Sequence, residues 1–83
     1  MKTIEYKKDA AKYLLKMDRE TGLKIKDGIK AIAGGNNEGL DVKALTGTEG
    51  YRLRVGKFRA LFKMDDTTLT VTDVGPRGDI YKK

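Results

Sequence analysis

An α+β domain is predicted from three features of this 83-residue chain. Apolar residues recur at helical spacing before Gly34, they alternate at strand spacing after Gly50, and glycine-containing segments separate the two regimes. The expected architecture is a short N-terminal strand and a two-helix hairpin packed on an antiparallel β-sheet. All of it forms a single domain over residues 1–83, because a chain of this length has one small core to build and no room for a second.

Taken in order, Thr3-Ile4-Glu5-Tyr6 alternates briefly and is read as the first strand. From Asp9 to Met17, the residues Ala10, Tyr13, Leu14 and Met17 fall three and four apart, which gathers them on one helix face and turns Lys12 and Lys16 to solvent. Asp18 is suited to cap a second helix, with Glu20 near its positive end and Ile25, Ile29 and Ile32 as its buried stripe. Gly22 and Gly28 weaken that helix, and Gly34-Gly35-Asn36-Asn37 ends it. Residues 42–46 are read as a short strand and 47–50 as a turn. Three strands follow at 51–55, 58–64 and 68–74. They are joined by Gly56-Lys57, where Gly in the first central position fits a type II′ turn, and by the Asp65-Asp66-Thr67 region.

That hairpin sorts the side chains. Tyr51, Leu53, Val55, Phe58, Ala60 and Phe62 share one face, and Arg52, Arg54, Arg59, Leu61 and Lys63 share the other. A slip of one residue would bury the arginines, so the charges themselves specify the register. Three basic residues on an open sheet face are, by themselves, an ordinary solvated surface. The register, however, sets Arg54 directly opposite Arg59, where like charges destabilise pairing, and an anion would relieve them. The strand at 68–74 places Thr68, Thr70 and Thr72 on one side and Asp73 with Leu69 and Val71, so no carboxylate is expected on the basic face.

Composition narrows the chemistry. Lys and Arg total 18 against 12 Asp and Glu, a formal charge of +6 that suits an anionic partner. Absence of Cys removes disulfides, thiolate metal sites and cysteine nucleophiles, and absence of His removes imidazole acid-base chemistry and the commonest transition-metal ligand. No metal and no small-molecule cofactor is expected. No apolar run has the length of a signal peptide or a membrane span, and the helical segments are too mixed for a membrane-surface anchor. A soluble cytoplasmic protein is therefore expected. The stretch from Gly50 to Lys57 fails as a phosphate-binding loop in spacing and in having Phe58 where Ser or Thr belongs. Asp65-Asp66 is read as a turn former rather than a metal site. Gly75-Pro76 forces a bend from which Arg77 and Tyr81 could swing toward the basic face; on spacing alone Tyr81 also reads as an edge anchor in a terminal tail.

The segments Gly50-Tyr51-Arg52-Leu53-Arg54-Val55-Gly56-Lys57-Phe58-Arg59 and Val74-Gly75-Pro76-Arg77-Gly78-Asp79-Ile80-Tyr81, with Leu45-Thr46-Gly47 ahead of them, resemble the RelE/ParE superfamily of bacterial toxins. The resemblance covers essentially the whole chain and is most specific in the two glycine-arginine segments. It implies a toxin of a type II toxin-antitoxin pair, held by a small antitoxin that wraps around it. The RelE branch cleaves messenger RNA in the ribosomal decoding site, and the ParE branch blocks DNA gyrase. By position, Arg52 and Arg54 match basic residues of the RelE-type catalytic strand, Arg59 the basic residue of the next strand, Arg77 the arginine after the family's Val-Gly, and Tyr81 the C-terminal catalytic tyrosine. Two departures stand out: well-studied members carry lysines at the strand positions, and the interval from Arg77 to Tyr81 is shorter here than in some active members.

The resemblance thus implies a metal-independent, ribosome-dependent endoribonuclease with Arg52, Arg54, Arg59, Arg77 and Tyr81 as catalytic residues and Arg52, Arg54, Lys57, Arg59, Lys63 and Arg77 as the RNA-binding set. Arg59 and Arg77 would stabilise the phosphorane, and Tyr81 would stack on a base or accept a proton, with Glu49 as an alternative base. The expected partners are a cognate antitoxin bearing acidic and apolar residues, the ribosome and messenger RNA, with no membrane. Two other readings stay open: a gyrase inhibitor without nuclease activity, and an RNA-binding module whose catalysis has decayed.

Overall fold

The computed structural model describes residues 1–47 and 49–76. Along these the chain forms β1 (Thr3–Tyr6), α1 (Lys8–Lys16), α2 (Arg19–Ala33), β2 (Asp41–Ala44), β3 (Tyr51–Val55), β4 (Phe58–Met64) and β5 (Thr68–Pro76). One sheet carries the strands in the order β1-β5-β4-β3-β2. The meander of β3, β4 and β5 pairs antiparallel as the alternation predicts, and β2 adds antiparallel to β3. The short first strand joins this antiparallel sheet at its edge, where β1 lies parallel to β5 with Thr3 opposite Thr68 and Tyr6 opposite Val71. Both helices and three strands separate that pair in sequence, and a long connection of this kind is what parallel pairing requires.

Asp18 caps α2 as its position predicts: its carboxylate accepts the Thr21 N–H at 2.7 Å. The stripe of Ile25, Ile29 and Ile32 is buried, with Gly22 and Gly28 beside it. Gly28 is required by packing. A Cβ there would lie 2.9 Å from Leu53 Cδ2, and Leu53 is fully buried in β3. The helix therefore approaches the sheet so closely that a side chain at that position would require Leu53 to move. Ala10 and Leu14 of α1 join the same core, and Tyr13 meets Phe58 with ring centroids 6.3 Å apart. On the sheet side the core comprises Leu53, Ala60, Phe62, Leu69, Val71 and Val74.

Two strand boundaries depart from the sequence reading. β2 runs from Asp41 to Ala44 rather than over 42–46. Beyond it, the Leu45 N–H donates to the Gly50 carbonyl at 3.0 Å, and Gly50 then turns the chain out of the ladder with φ +119°. β5 continues to Pro76 rather than stopping at Val74. Since β1 flanks β5 only from Thr68 to Val71, Pro76 lies past the end of β1, where its missing N–H leaves no ladder bond unmade on that side. Asp65 is the turn former anticipated from the sequence: its Oδ1 accepts the Thr67 N–H at 2.9 Å and the Thr68 N–H at 2.7 Å.

These contacts give two expected outcomes. Gly28→Ala lowers stability by about 1–2 kcal/mol in urea titrations, because overpacking against Leu53 (~1–3 kcal/mol) outweighs the gain in helix propensity (up to ~1 kcal/mol); a stabilised variant would show that the α2 to β3 approach is looser than described. The Thr67 and Thr68 N–H groups hold the Asp65 carboxyl below the usual carboxylate range. Its contribution is therefore complete above the unfolded-state value and is lost as pH falls through the lower folded value. Asp65→Ala should melt below wild type at neutral pH, and the gap should close as the pH is taken below about 4.

Candidate functional site

The β3 to β4 hairpin has the geometry its residues predict. Gly56 takes φ +58° while Lys57, like every other described non-glycine residue, keeps a negative φ, which is the signature of a type II′ turn. The register pairs Tyr51 with Phe62, Leu53 with Ala60 and Arg54 with Arg59. Tyr51 stacks on Phe62 at 5.5 Å on the helix-covered face. The arginines therefore fall on the face that α1 and α2 leave open.

Two rows of cross-strand partners run side by side over that open face. One reads Lys43, Arg52, Leu61, Asp73 and the other Asp41, Arg54, Arg59, Gly75, from β2 to β5. The first correction to the sequence reading concerns Arg52, counted there among the open cations. It is only 8% exposed, and its Nη2 donates to Asp41 Oδ1 at 3.2 Å. The other oxygen of Asp41 lies 4.0 Å from Arg54 Nη1. One half-exposed carboxylate thus holds one buried arginine and borders an exposed one, which relieves part of the like-charge strain between Arg54 and Arg59. Arg54 is exposed and Arg59 half-buried.

The second correction concerns Asp73. Leu61 faces Asp73 and Phe62 faces Val71, so Thr72 is an extra residue, a β-bulge. The bulge shifts the phase of β5. Val74 joins Leu69 and Val71 in the core, while Asp73, assigned from strict alternation to the side of Leu69 and Val71, turns to the open face beside Leu61. The bulge is secured by the Thr72 hydroxyl, which donates to the Leu61 carbonyl at 3.3 Å. The basic face therefore carries carboxylates at both ends, Asp41 and Asp73, where none was expected. The signal for Asp73 is present in the chain: Val71 and Val74 are three apart where strict alternation would put apolar residues two apart.

Asp73 also lines a cleft of about 230 Å³ with Glu49, Lys63, Thr72, Leu45 and Leu61. Gly50 sets the position of Glu49, because a Cβ at residue 50 would meet the Phe62 carbonyl oxygen at 3.1 Å and its φ is positive. A second concavity, of about 350 Å³, sits at the hairpin tip between Arg54, Gly56, Lys57 and Pro76. The structure so brings together Arg52, Arg54 and Arg59 in adjoining rows, with Lys63 in the cleft and Lys57 at the tip. Arg77 and Tyr81 lie outside the described residues. Among the described residues no cluster of three carboxylates could hold a metal ion, and no helix is long and apolar enough to cross a membrane.

No family model and no curated protein matches the chain. Solved structures do. A chain of the RelB-RelE antitoxin-toxin complex from Methanococcus jannaschii is similar at TM-score 0.76 and 25% identity, over 93% of this chain and 94% of that one. A chain of the archaeal RelE-RelB complex from Pyrococcus horikoshii OT3 is similar at TM-score 0.77 and 21% identity, over 94% and 97%. The YoeB dimer from Staphylococcus aureus offers a third likeness, at TM-score 0.72 and 23% identity, over 87% and 92%.

The Asp41 contacts predict unequal couplings. Asp41→Ala should cost about 1.5–3 kcal/mol, the range for a hydrogen bond to a charged group, since it strands a buried guanidinium. In double-mutant cycles most of that cost should couple to Arg52→Met and little to Arg54→Ala. Equal couplings would contradict the 3.2 Å and 4.0 Å geometry.

Proposed function

We propose that the chain, whose fold is similar to RelE toxins of known structure, is the toxin of a type II toxin-antitoxin pair and a ribosome-dependent endoribonuclease acting on messenger RNA. The observation that carries this reading is the direct opposition of Arg54 and Arg59 on the open face, with Arg52 in the adjoining row. A sheet gains nothing from two opposed guanidinium groups, whereas a phosphodiester between them is bound by both.

In this reading the 2′-hydroxyl of one nucleotide attacks the adjacent phosphorus. A bond forms between O2′ and phosphorus, the bond from phosphorus to O5′ breaks as O5′ takes a proton from water, and the products are a 2′,3′-cyclic phosphate and a 5′-hydroxyl. Arg54 and Arg59 stabilise the added negative charge of the phosphorane through forked N–H donors. Buried Arg52, fixed by Asp41, contributes field and alignment. Arginine stays protonated and does not accept the 2′-hydroxyl proton. That role belongs to Tyr81 or, from within the cleft, Glu49. The ribosome supplies the remaining alignment by presenting the message in a fixed conformation.

The helices offer a surface for the antitoxin. Leu15 and Leu23 are 82% and 48% exposed, and they share a groove with Arg19 and Lys26. A segment with apolar and acidic residues fits it.

The test is controlled expression with mapping of 5′-hydroxyl ends in translated messages. Wild type should arrest growth and produce such ends. Arg59→Ala should cut the cleavage rate about 10²–10³-fold, the usual loss when one preorganised donor to a developing charge is removed. Growth arrest without these ends, together with inhibited gyrase supercoiling, would instead support the gyrase-inhibitor reading.

A further inference from the structure

We propose that the cleft beside the arginine rows is a base-binding subsite that selects guanine. This deepens the nuclease reading and rests on it. The cleft adjoins the phosphate site: Leu61 forms its wall, pairs directly with Arg52 on β3, and is two residues from Arg59 on the same face, about 7 Å along the strand. A nucleotide whose phosphate sits on the arginines can therefore place its base in the cleft.

Size and lining define the occupant. The cleft holds about 230 Å³, below the ~300–1,000 Å³ of sites for drug-sized ligands, and suits one planar ring system. Leu45 and Leu61 offer apolar surface to the ring faces. Asp73 and Lys63 supply an acceptor pair and a donor, Thr72 adds a hydroxyl, and Glu49 places a second carboxylate in the lining. Of the four bases, only guanine presents two adjacent donors, N1–H and the N2 amino group, next to an acceptor, O6. A carboxylate takes the two donors and an ammonium takes the acceptor. Uracil sets a carbonyl on each side of its single N–H, and cytosine and adenine each offer one amino group beside an acceptor nitrogen.

The bulge is the independent structural sign. Without Thr72 as an extra residue, Asp73 would continue the alternation into the core, so the local irregularity of β5 is what delivers a carboxylate to this face. Asp73 stands beyond Leu61 from the arginine row, on the opposite side from Asp41. Asp41 is already engaged with Arg52.

The probes are four single-stranded hexanucleotides of uridine differing only in the fourth base, with a 2′-deoxy sugar at the third position to block cleavage, titrated by fluorescence anisotropy at fixed salt. Wild type should bind the guanine hexamer about tenfold tighter than the other three, within the range of one bidentate base contact. Asp73→Asn should abolish that preference with an unchanged salt dependence of the uridine hexamer, and Lys63→Gln, a change at an exposed position, should reduce it. Arg54→Ala should weaken all four alike and lower the salt slope by about one. Thermal melts of each variant establish that it is folded. Equal affinity of wild type for the four, or a guanine preference that survives in Asp73→Asn, overturns the cleft assignment while message cleavage upholds the nuclease reading. A uniform gain in affinity in Asp73→Asn would mean that Asp73 only screens the arginines, and also overturns it. No affinity for any hexamer, with no message cleavage, overturns both.

Discussion

Burying an arginine without a partner costs several kcal/mol, so the β3 to β4 hairpin has one usable phase. With Leu53, Ala60 and Phe62 inward, the arginines must point outward, and the type II′ turn at Gly56-Lys57 brings Arg54 and Arg59 face to face. The phase is locked from the opposite side as well, because α2 approaches so closely at Gly28 that Leu53 fills the space a side chain would take. Helix packing and charge exclusion thus demand the same register. The functional face is a by-product of the core: the alternation that buries one set of residues displays the other.

The bulge in β5 is where this simple relation is broken. Before Thr72 the strand contributes threonines to the open face and Leu69 and Val71 to the core; after it Asp73 points outward and Val74 inward. Adding one residue exchanges the faces of the remaining strand without disturbing the pairing of Ala60 with Val74 or Arg59 with Gly75. Core continuity is preserved, and the open face gains an acid at a position where uninterrupted pairing would have put Thr72.

How much of this was legible from residues alone depended on whether the signal was local. The helices, the cap at Asp18, the meander and the opposition of Arg54 to Arg59 follow from spacing and turn chemistry, which act over a few residues. The parallel pairing of β1 with β5 depends on a connection through most of the chain, and nothing in Thr3 to Tyr6 encodes it. The bond from Arg52 to Asp41 joins residues eleven apart in sequence, and it required knowing that β2 begins at Asp41 and pairs with β3 in that register. Asp73 was misplaced because strict alternation was carried through a strand whose apolar spacing changes from two to three. Arg77 and Tyr81, which the family resemblance makes central, are known only from the sequence.

The two carboxylates change what the basic face is. A chain of charge +6 with an uninterrupted arginine surface would hold any polyanion, and its affinity would come almost wholly from counterion release. Asp41 engages Arg52 and borders Arg54 on one side, and Asp73 stands beyond Leu61 on the other, so acids flank the arginine rows. In the proposed nuclease, an RNA phosphate laid across these rows meets the arginines between the two acids. In the proposed nuclease, Asp41 favours one phosphate position by fixing Arg52. Cleavage at a single bond requires that position to be defined, because donors stabilise a phosphorane only when they are already placed where its charge develops.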